Sequence, residues 1–539
     1  MNNRLGTALQ SALKPMLIPE QEGYVNRQYG LLVLMAASLP LSRAMVSVSL
    51  GLLAANFFLS PGVGSRIARS IHYPGLLVFL AFPLVYMLGL FYSSNLATGL
   101  DNFVRKLPFI VLPMVMAGFP LTNRQLNRLL DIFVAAVMVN VSIAAAVYIF
   151  THHQPTFDVR QISLFFSHIR LALMILFAMT ITGYRAYHLQ TARRWFYMAA
   201  GLLLGTSLLL VQSLTGLVIA FVLGFSVVIV LTFRLENAIA RFVLLIAGLT
   251  VFLLVSSYLS HAWMRFHTTH PEDLAKLDTF TVNGNPYLHD TTNLIRENGY
   301  YVGLYLAPDE LEEEWNSRSS LPFKGHDKDG QVLAGTLKRY LTAKGLRKDS
   351  AGIAALSHHD IYLIEAGVAN PVYADADFLY ARIYQILWEL EMYRLTGYVR
   401  GHSVAQRIEF LLSGWHVIRE NPWFGVGTGD VMSAQRKAFQ DREVALAPEY
   451  QRKSHNQWVT LGMALGMVGL LVFVVAIAFP VIRNKTYRYF LFNLFLGSIL
   501  LSFLSDDTLD THIGVNFFCF FYALFVFTST AQSDDKIGS

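Results

Sequence analysis

Residues 454–479 read SHNQWVTLGMALGMVGLLVFVVAIAF. A polar quartet, Ser454-His455-Asn456-Gln457, opens an apolar run of roughly 22 residues, long enough to cross a bilayer as a helix. Ser454 with Gln457 three residues on has the spacing of a capping box. The spacing predicts Ser454 as N-cap and His455 in the first helical turn, among unpaired backbone N–H groups at the positive dipole end. That surrounding lowers a histidine pKa and keeps the ring neutral, as a general base requires, and it attracts anions such as phosphate. The plainer alternative is a polar residue at the membrane interface.

The chain around this stretch has 539 residues, 54% hydrophobic and 14% charged. Soluble domains carry about 25% charged residues, so the composition is that of an all-α polytopic membrane protein. Apolar runs predict about twelve spans, near 28–42, 44–60, 74–94, 107–121, 129–150, 163–184, 195–212, 214–233, 242–260, 456–482, 489–505 and 513–531. With the N-terminus in the cytoplasm, basic residues such as Arg66, Arg69, Arg124, Arg128, Arg193, Arg194, Arg234, Arg483, Lys485 and Arg488 fall inside. Few, such as Arg43, Arg105, Lys106 and Arg160, fall in short outer segments. This bias predicts cytoplasmic termini and explains the net charge of +6 without nucleic acid. The first 27 residues show no cleavable signal pattern. One cysteine, Cys519, excludes an intrachain disulfide.

The alternation predicts three parts: membrane spans over 1–260, an outer domain over 261–454, and three further spans over 455–539. The outer segment is too long for structureless loop. Helical spacing of apolar residues at 311–315, 332–344 and 378–393 predicts a small helical domain, with FLYARIYQILWELEMYRL (378–395) its clearest amphipathic helix. DELEEEW (309–315) reads as a solvated helix face. After a helix over 404–418, NPWFGVGTGD (421–430) breaks regular structure with Pro422 and alternate glycines. Such a turn can cradle phosphate or simply pack against helices, and packing is the commoner use. Gly462 and Gly466, with Gly469 one turn on, predict close helix–helix packing.

Ionisable groups at membrane depth are costly and mark candidate sites. Arg170, read as about seven residues into its span, would lie roughly 10 Å deep at about 1.5 Å per residue. Snorkelling or a structural ion pair is its plainer reading. Arg160 lies just outside the same span, and His168 lies nearly opposite Arg170 on the helical wheel. His402 and Arg407 precede the glycine turn. Asp506, Asp507, Asp510 and His512 crowd the last outer turn, where acidic groups are most often solvated; a metal there is not expected. One face thus collects Arg160, Arg170, Arg407 and His455: basic groups to grip a diphosphate and a neutral base to take a proton. No nucleotide motif is present, so the substrate must arrive activated. A lipid-linked diphosphate sugar meets that need.

Arg407 followed by LLSGWHVIRENPWFGVGTGD, then SHNQWVTLGMALGMVGLL, resembles the signature region of the bacterial O-antigen ligase and polymerase superfamily. FSHIRLAL (166–173) resembles its basic mid-chain span. LKRYLTAKGLRKDSAGI, LYARIYQILWELEMYR and SDDTLDTHIGVNFFCFFYALF resemble the branch with a long periplasmic insert common in Bacteroidetes-type bacteria. The resemblance implies a C-type glycosyltransferase membrane fold in the inner membrane with a periplasmic active site. It implies inverting transfer of a glycan from undecaprenyl diphosphate, without metal or cofactor, to a lipid A-core sugar, another lipid-linked glycan, or a protein Ser or Thr. By matched motifs His455 would be the base, and Arg170 and Arg407 would bind the diphosphate. Where many members carry Ser-Arg-Gly, this chain reads Gln212-Ser213-Leu214-Thr215-Gly216, so either Arg160 or Arg170 supplies that charge or donor binding differs. Asn456, Gln457, His402 and His168 are candidates to orient the acceptor. A lipid-linked sugar transporter is the rival from another class. It predicts pseudo-symmetric halves, and nine spans, an outer domain and three spans show none.

Overall fold

A computed structural model describes residues 22–151, 162–270, 274–399 and 401–528. Helix dominates, as expected for backbone that must satisfy its own hydrogen bonds in lipid. In chain order the first elements are α1 (Glu22–Ser38), α2 (Arg43–Leu59), α3 (Val63–Ile71), α4 (Leu76–Leu88), α5 (Leu96–Val104), α6 (Pro108–Gly118), α7 (Asn123–Thr151), α8 (His168–His188), α9 (Arg193–Leu210), α10 (Leu214–Arg234) and α11 (Ala238–His267). A two-residue hairpin, β1 (Arg296–Glu297) against β2 (Tyr300–Tyr301), follows. Then come α12 (Pro308–Arg318), α13 (Leu333–Ala343), α14 (Ser350–Ala354), α15 (His358–Glu365), α16 (Val372–Asp375), α17 (Phe378–Thr396), α18 (Ser403–Glu420) and α19 (Val431–Asp441). The chain closes with α20 (Gln457–Arg483), α21 (Phe490–Ser502) and α22 (His512–Val526).

Among the described residues five helices, α7, α8, α10, α11 and α20, are long and apolar enough to cross a membrane. A sixth span forms if α2 and α3, bent by 108°, are counted together. The apolar runs at 74–94, 489–505 and 513–531 appear as the shorter helices α4, α21 and α22. The expected span over 163–184 is helical only from His168, because Ser167 caps α8 by accepting from the Ile169 N–H. Arg170 therefore lies in the first turn, not two turns deep.

The described residues fall into two compact units. One holds 22–148, 162–224 and 407–528; the other holds 149–151, 225–270, 274–399 and 401–406. The first unit is organised around α22, which is apolar all round and buried from Ile513 to Val526. Its aromatic rings interlock with those of earlier helices: Phe521 meets Phe133 and Phe177 at 4.8 Å, and Tyr522 stacks on Phe79 at 4.9 Å. Such pairs add about 0.5–1.5 kcal/mol each beyond their buried area.

The second unit has its own core of Leu311, Trp315, Leu333, Leu337, Tyr340, Leu341 and Ile364, to which α12, α13 and α15 contribute. The acidic face of α12 is only partly solvated. Glu310 is buried, and it accepts from Asn285 Nδ2 at 2.7 Å, from the Ser350 hydroxyl at 2.8 Å and from the Thr281 hydroxyl. Those bonds outweigh burial and hold its carboxyl down at about 2.

Candidate functional site

Local hydrogen bonding sets the entry to α20 differently from the spacing of its residues. Asn456, not Ser454, is the N-cap: its Oδ1 accepts from the N–H groups of Trp458 at 3.0 Å and Val459 at 3.1 Å. Asparagine caps as well as serine does, and its cap leaves His455 outside the helix. His455 takes φ of 50°, the left-handed region that non-glycine residues seldom occupy. Ser454 donates to the Asn456 carbonyl at 2.9 Å and pairs with the Thr460 hydroxyl at 2.8 Å. Gln457 is buried; its N–H donates to the Phe503 carbonyl and its Oε1 accepts from the Leu509 N–H at 2.7 Å. Asn456 Nδ2 donates to the Leu504 carbonyl at 3.1 Å. Asn456 and Gln457 thus tie the start of α20 to the last turn, 503–511.

That turn is not a solvated acidic loop. Asp506 and Asp507 are buried. Asp507 accepts from the His455 N–H at 3.1 Å and from the Thr460 hydroxyl at 2.6 Å, so it fixes the unusual backbone at His455. Burial, then the Asp510 charge, pushes Asp507 up to about 7. Asp506 accepts an Arg170 guanidinium N–H at 2.7 Å; burial raises its pKa, and Arg170 offsets only part of that. Asp510 bridges two ammonium groups, Lys106 at 2.7 Å and Lys453 at 2.8 Å. Burial works against its charge, but the two lysines together hold it well below the usual carboxylate range. Lys453 stands two residues before His455, so this triad anchors the segment that carries the histidine. One signal of it is local: Lys106 stands directly before an apolar run, LPFIV, where an unpaired ammonium would be costly.

Around the His455 ring, Phe410 of α18 packs at 5.8 Å between centroids. Arg407, one turn earlier on the same helix, and Arg170, in the first turn of α8, lie within electrostatic reach, as does Arg452. Burial first, and then the charges of Arg407, Arg170 and Arg452, bring His455 down to about 4. The imidazole is therefore neutral at physiological pH. Arg452 was not singled out in the sequence, where it is one basic residue in a polar linker.

The glycine turn packs. Val426 and Gly427 donate to the carbonyls of Met463 at 2.8 Å and Ala464 at 3.0 Å. Met467 and Val468 donate back to Pro422 at 2.8 Å and Trp423 at 3.1 Å. The insertion is possible because α20 is broken at Gly466, where φ is 62° and ψ is −164°. Carbonyls freed by the break take the loop's N–H groups, which are thus spent on backbone and not on phosphate. Gly466 does not serve a small-residue helix interface. A Cβ there would lie 2.3 Å from the Trp423 carbonyl carbon.

Of the other sequence candidates, His168 is half-buried at the first residue of α8. His402 belongs to the second unit, where its ring meets Trp388 at 5.3 Å and Tyr398 at 5.6 Å; burial, then the Arg339 charge, lowers its pKa. Arg160 lies outside the described residues. For a cation, His416, Glu420 and Asp441 bring ligand atoms within 4.8 Å of one another, but Glu420 and Asp441 are exposed, and such groups are common without an ion.

Residues 366–474 match the model of a family described as O-antigen ligase. The matched segment includes Arg407, the glycine turn and His455. No curated protein matches the chain.

Proposed function

From a match that supports membership of the O-antigen ligase superfamily, with activity of the O-antigen ligase or polymerase type, we propose that this membrane protein is an inverting glycan transferase of the periplasmic face. Its donor is a glycan on undecaprenyl diphosphate, and its acceptor is a hydroxyl of a lipid A-core sugar. The observation that carries the reading is the group at His455: a neutral imidazole with Arg170, Arg407 and Arg452 around it. Arginine side chains suit a diphosphate, as handle and as leaving group.

In this reading the donor diphosphate docks on Arg170 and Arg407, with Asp506 orienting Arg170 from behind. The acceptor hydroxyl hydrogen-bonds His455. As its oxygen attacks the anomeric carbon, its proton passes to the imidazole. The new C–O bond forms as the bond from the anomeric carbon to the diphosphate oxygen breaks on the opposite face. The electron pair leaves with undecaprenyl diphosphate, whose growing charge the arginines stabilise. The imidazolium then returns its proton to water. No step calls for a metal or cofactor.

The test is transfer by purified protein in nanodiscs from a lipid-linked oligosaccharide, with lipid A-core, with no acceptor, and with protein acceptor in separate reactions. Product with lipid A-core alone, falling about 10²–10⁴-fold in His455→Ala, is the expected result. Ladders without added acceptor would make the enzyme a polymerase. Equal rates for His455→Ala and wild type would remove His455 from the chemistry.

A further inference from the structure

The second unit carries a pocket that the transfer chemistry does not use. Phe266, Tyr384, Trp388 and Met392 form apolar wall, and His267, Arg296, Asn298 and Glu391 supply polar groups. About 540 Å³ is free of protein atoms, part of it open to solvent.

The walls are held from beneath. Glu297, fully buried, accepts from Arg339 Nε at 2.7 Å, Asn370 Nδ2 at 2.7 Å and the Tyr384 hydroxyl at 3.1 Å. The Arg339 guanidinium stacks on the Trp388 ring at 4.0 Å. The hairpin turn at the rim is Asn298-Gly299, with φ of 48° and 89°, the pair that a two-residue turn with positive φ at both positions favours; a Cβ on Gly299 would lie 2.3 Å from the Thr268 carbonyl oxygen.

Several polar atoms remain for a ligand. Trp388 is 7% exposed, and its indole N–H has no acceptor among the described residues. His267 holds Nδ1 at 2.9 Å from the Trp263 carbonyl, so Nδ1 donates and Nε2 of the neutral ring is an acceptor. Arg296, itself exposed, donates one N–H to the Tyr301 hydroxyl at 2.6 Å and keeps others. Among the described residues Glu391 is engaged by Arg394 across an exposed pair. One cation and one anion beside aromatic and aliphatic wall do not select a polyanion. They suit a neutral ring with a C–H face and hydroxyls at its edge.

We propose that this pocket binds a sugar ring of a glycan. The ligand class rests on the reading of the chain as a glycan transferase; the pocket does not. The test uses the full chain in nanodiscs as His455→Ala, so that no probe is turned over. Saturation-transfer NMR is read with methyl glycosides of N-acetylglucosamine, galactose and rhamnose, with deacylated core oligosaccharide, and with inorganic phosphate as competitor. The expected result is saturation of at least one glycan. It weakens at least 5-fold in Trp388→Phe and in Arg296→Ala and does not respond to phosphate. Binding of none of them, binding unchanged in both variants, or displacement by phosphate would overturn the proposal. Should Trp388→Phe fail to fold, the exposed Arg296→Ala decides. Glycan binding here with no transfer in the wild-type assay would sink the transferase and leave the pocket; transfer without binding here would do the reverse.

Discussion

At His455 the charges suited to a diphosphate also keep the imidazole neutral. Without donor, burial and three arginines hold it at about 4. A bound diphosphate would neutralise part of that positive field and raise the pKa, making the ring a stronger base when the acceptor is to be deprotonated. The expected pH profile follows. Because a histidine of depressed pKa is unprotonated down to about 4, kcat/KM, which reports free enzyme, should fall only below about pH 5. The acid limb of kcat, which reports the donor complex, should lie at higher pH. Coincident limbs in a steady-state pH series would mean that the diphosphate does not reach the histidine's field. A second expectation concerns Asp507, which receives the His455 N–H and the Thr460 hydroxyl. Asp507→Ala strands both donors, at about 1–3 kcal/mol each. Asp507→Asn keeps one carbonyl acceptor and should lose about half as much, measured by thermal unfolding in detergent.

Helix α20 is an element whose function depends on its being broken. Gly466 occupies a region of φ and ψ reserved for glycine, and the loop 421–430 fills the gap. Gly466→Ala should cost at least about 1–3 kcal/mol from backbone strain alone, with further loss from the clash at Trp423. Gly183→Ala on α8 is the control: a Cβ there meets nothing within 4 Å, and alanine in a helix is favoured by up to about 1 kcal/mol. Thermal unfolding of the pair separates the two effects; equal stability of both variants would deny the break its structural role. The same element explains why the alternate glycines are not a phosphate cradle: the N–H groups of Val426 and Gly427 already have partners.

For the whole molecule, the placement of the segment between α11 and α20 outside the membrane rests on the charge bias and is open to a direct check. Cys519 is fully buried, so the native chain provides a quiet background for thiol labelling. Val282→Cys, at a position 91% exposed in the second unit, should react with a membrane-impermeant maleimide in spheroplasts. Tyr487→Cys, at an exposed position between α20 and α21, should react only after lysis. The opposite pattern would invert the topology and put the His455 group on the cytoplasmic side.

The membrane class and the helices α13 and α17 were legible from the residues alone, because hydropathy and periodicity are local properties. Legible too was Arg170 as an ionisable group in an apolar stretch. The tertiary structure decided the rest. Asn456 displaces Ser454 as cap because Ser454 is drawn to Thr460. Asp506 and Asp507 are buried and Asp510 is largely enclosed because Arg170, Thr460, Lys106 and Lys453 come to them from distant parts of the chain. Gly466 breaks a helix that its own sequence would continue, because a loop some forty residues earlier supplies the missing hydrogen bonds. A side chain's need for a partner can be read from sequence; which distant partner meets it depends on how the chain packs.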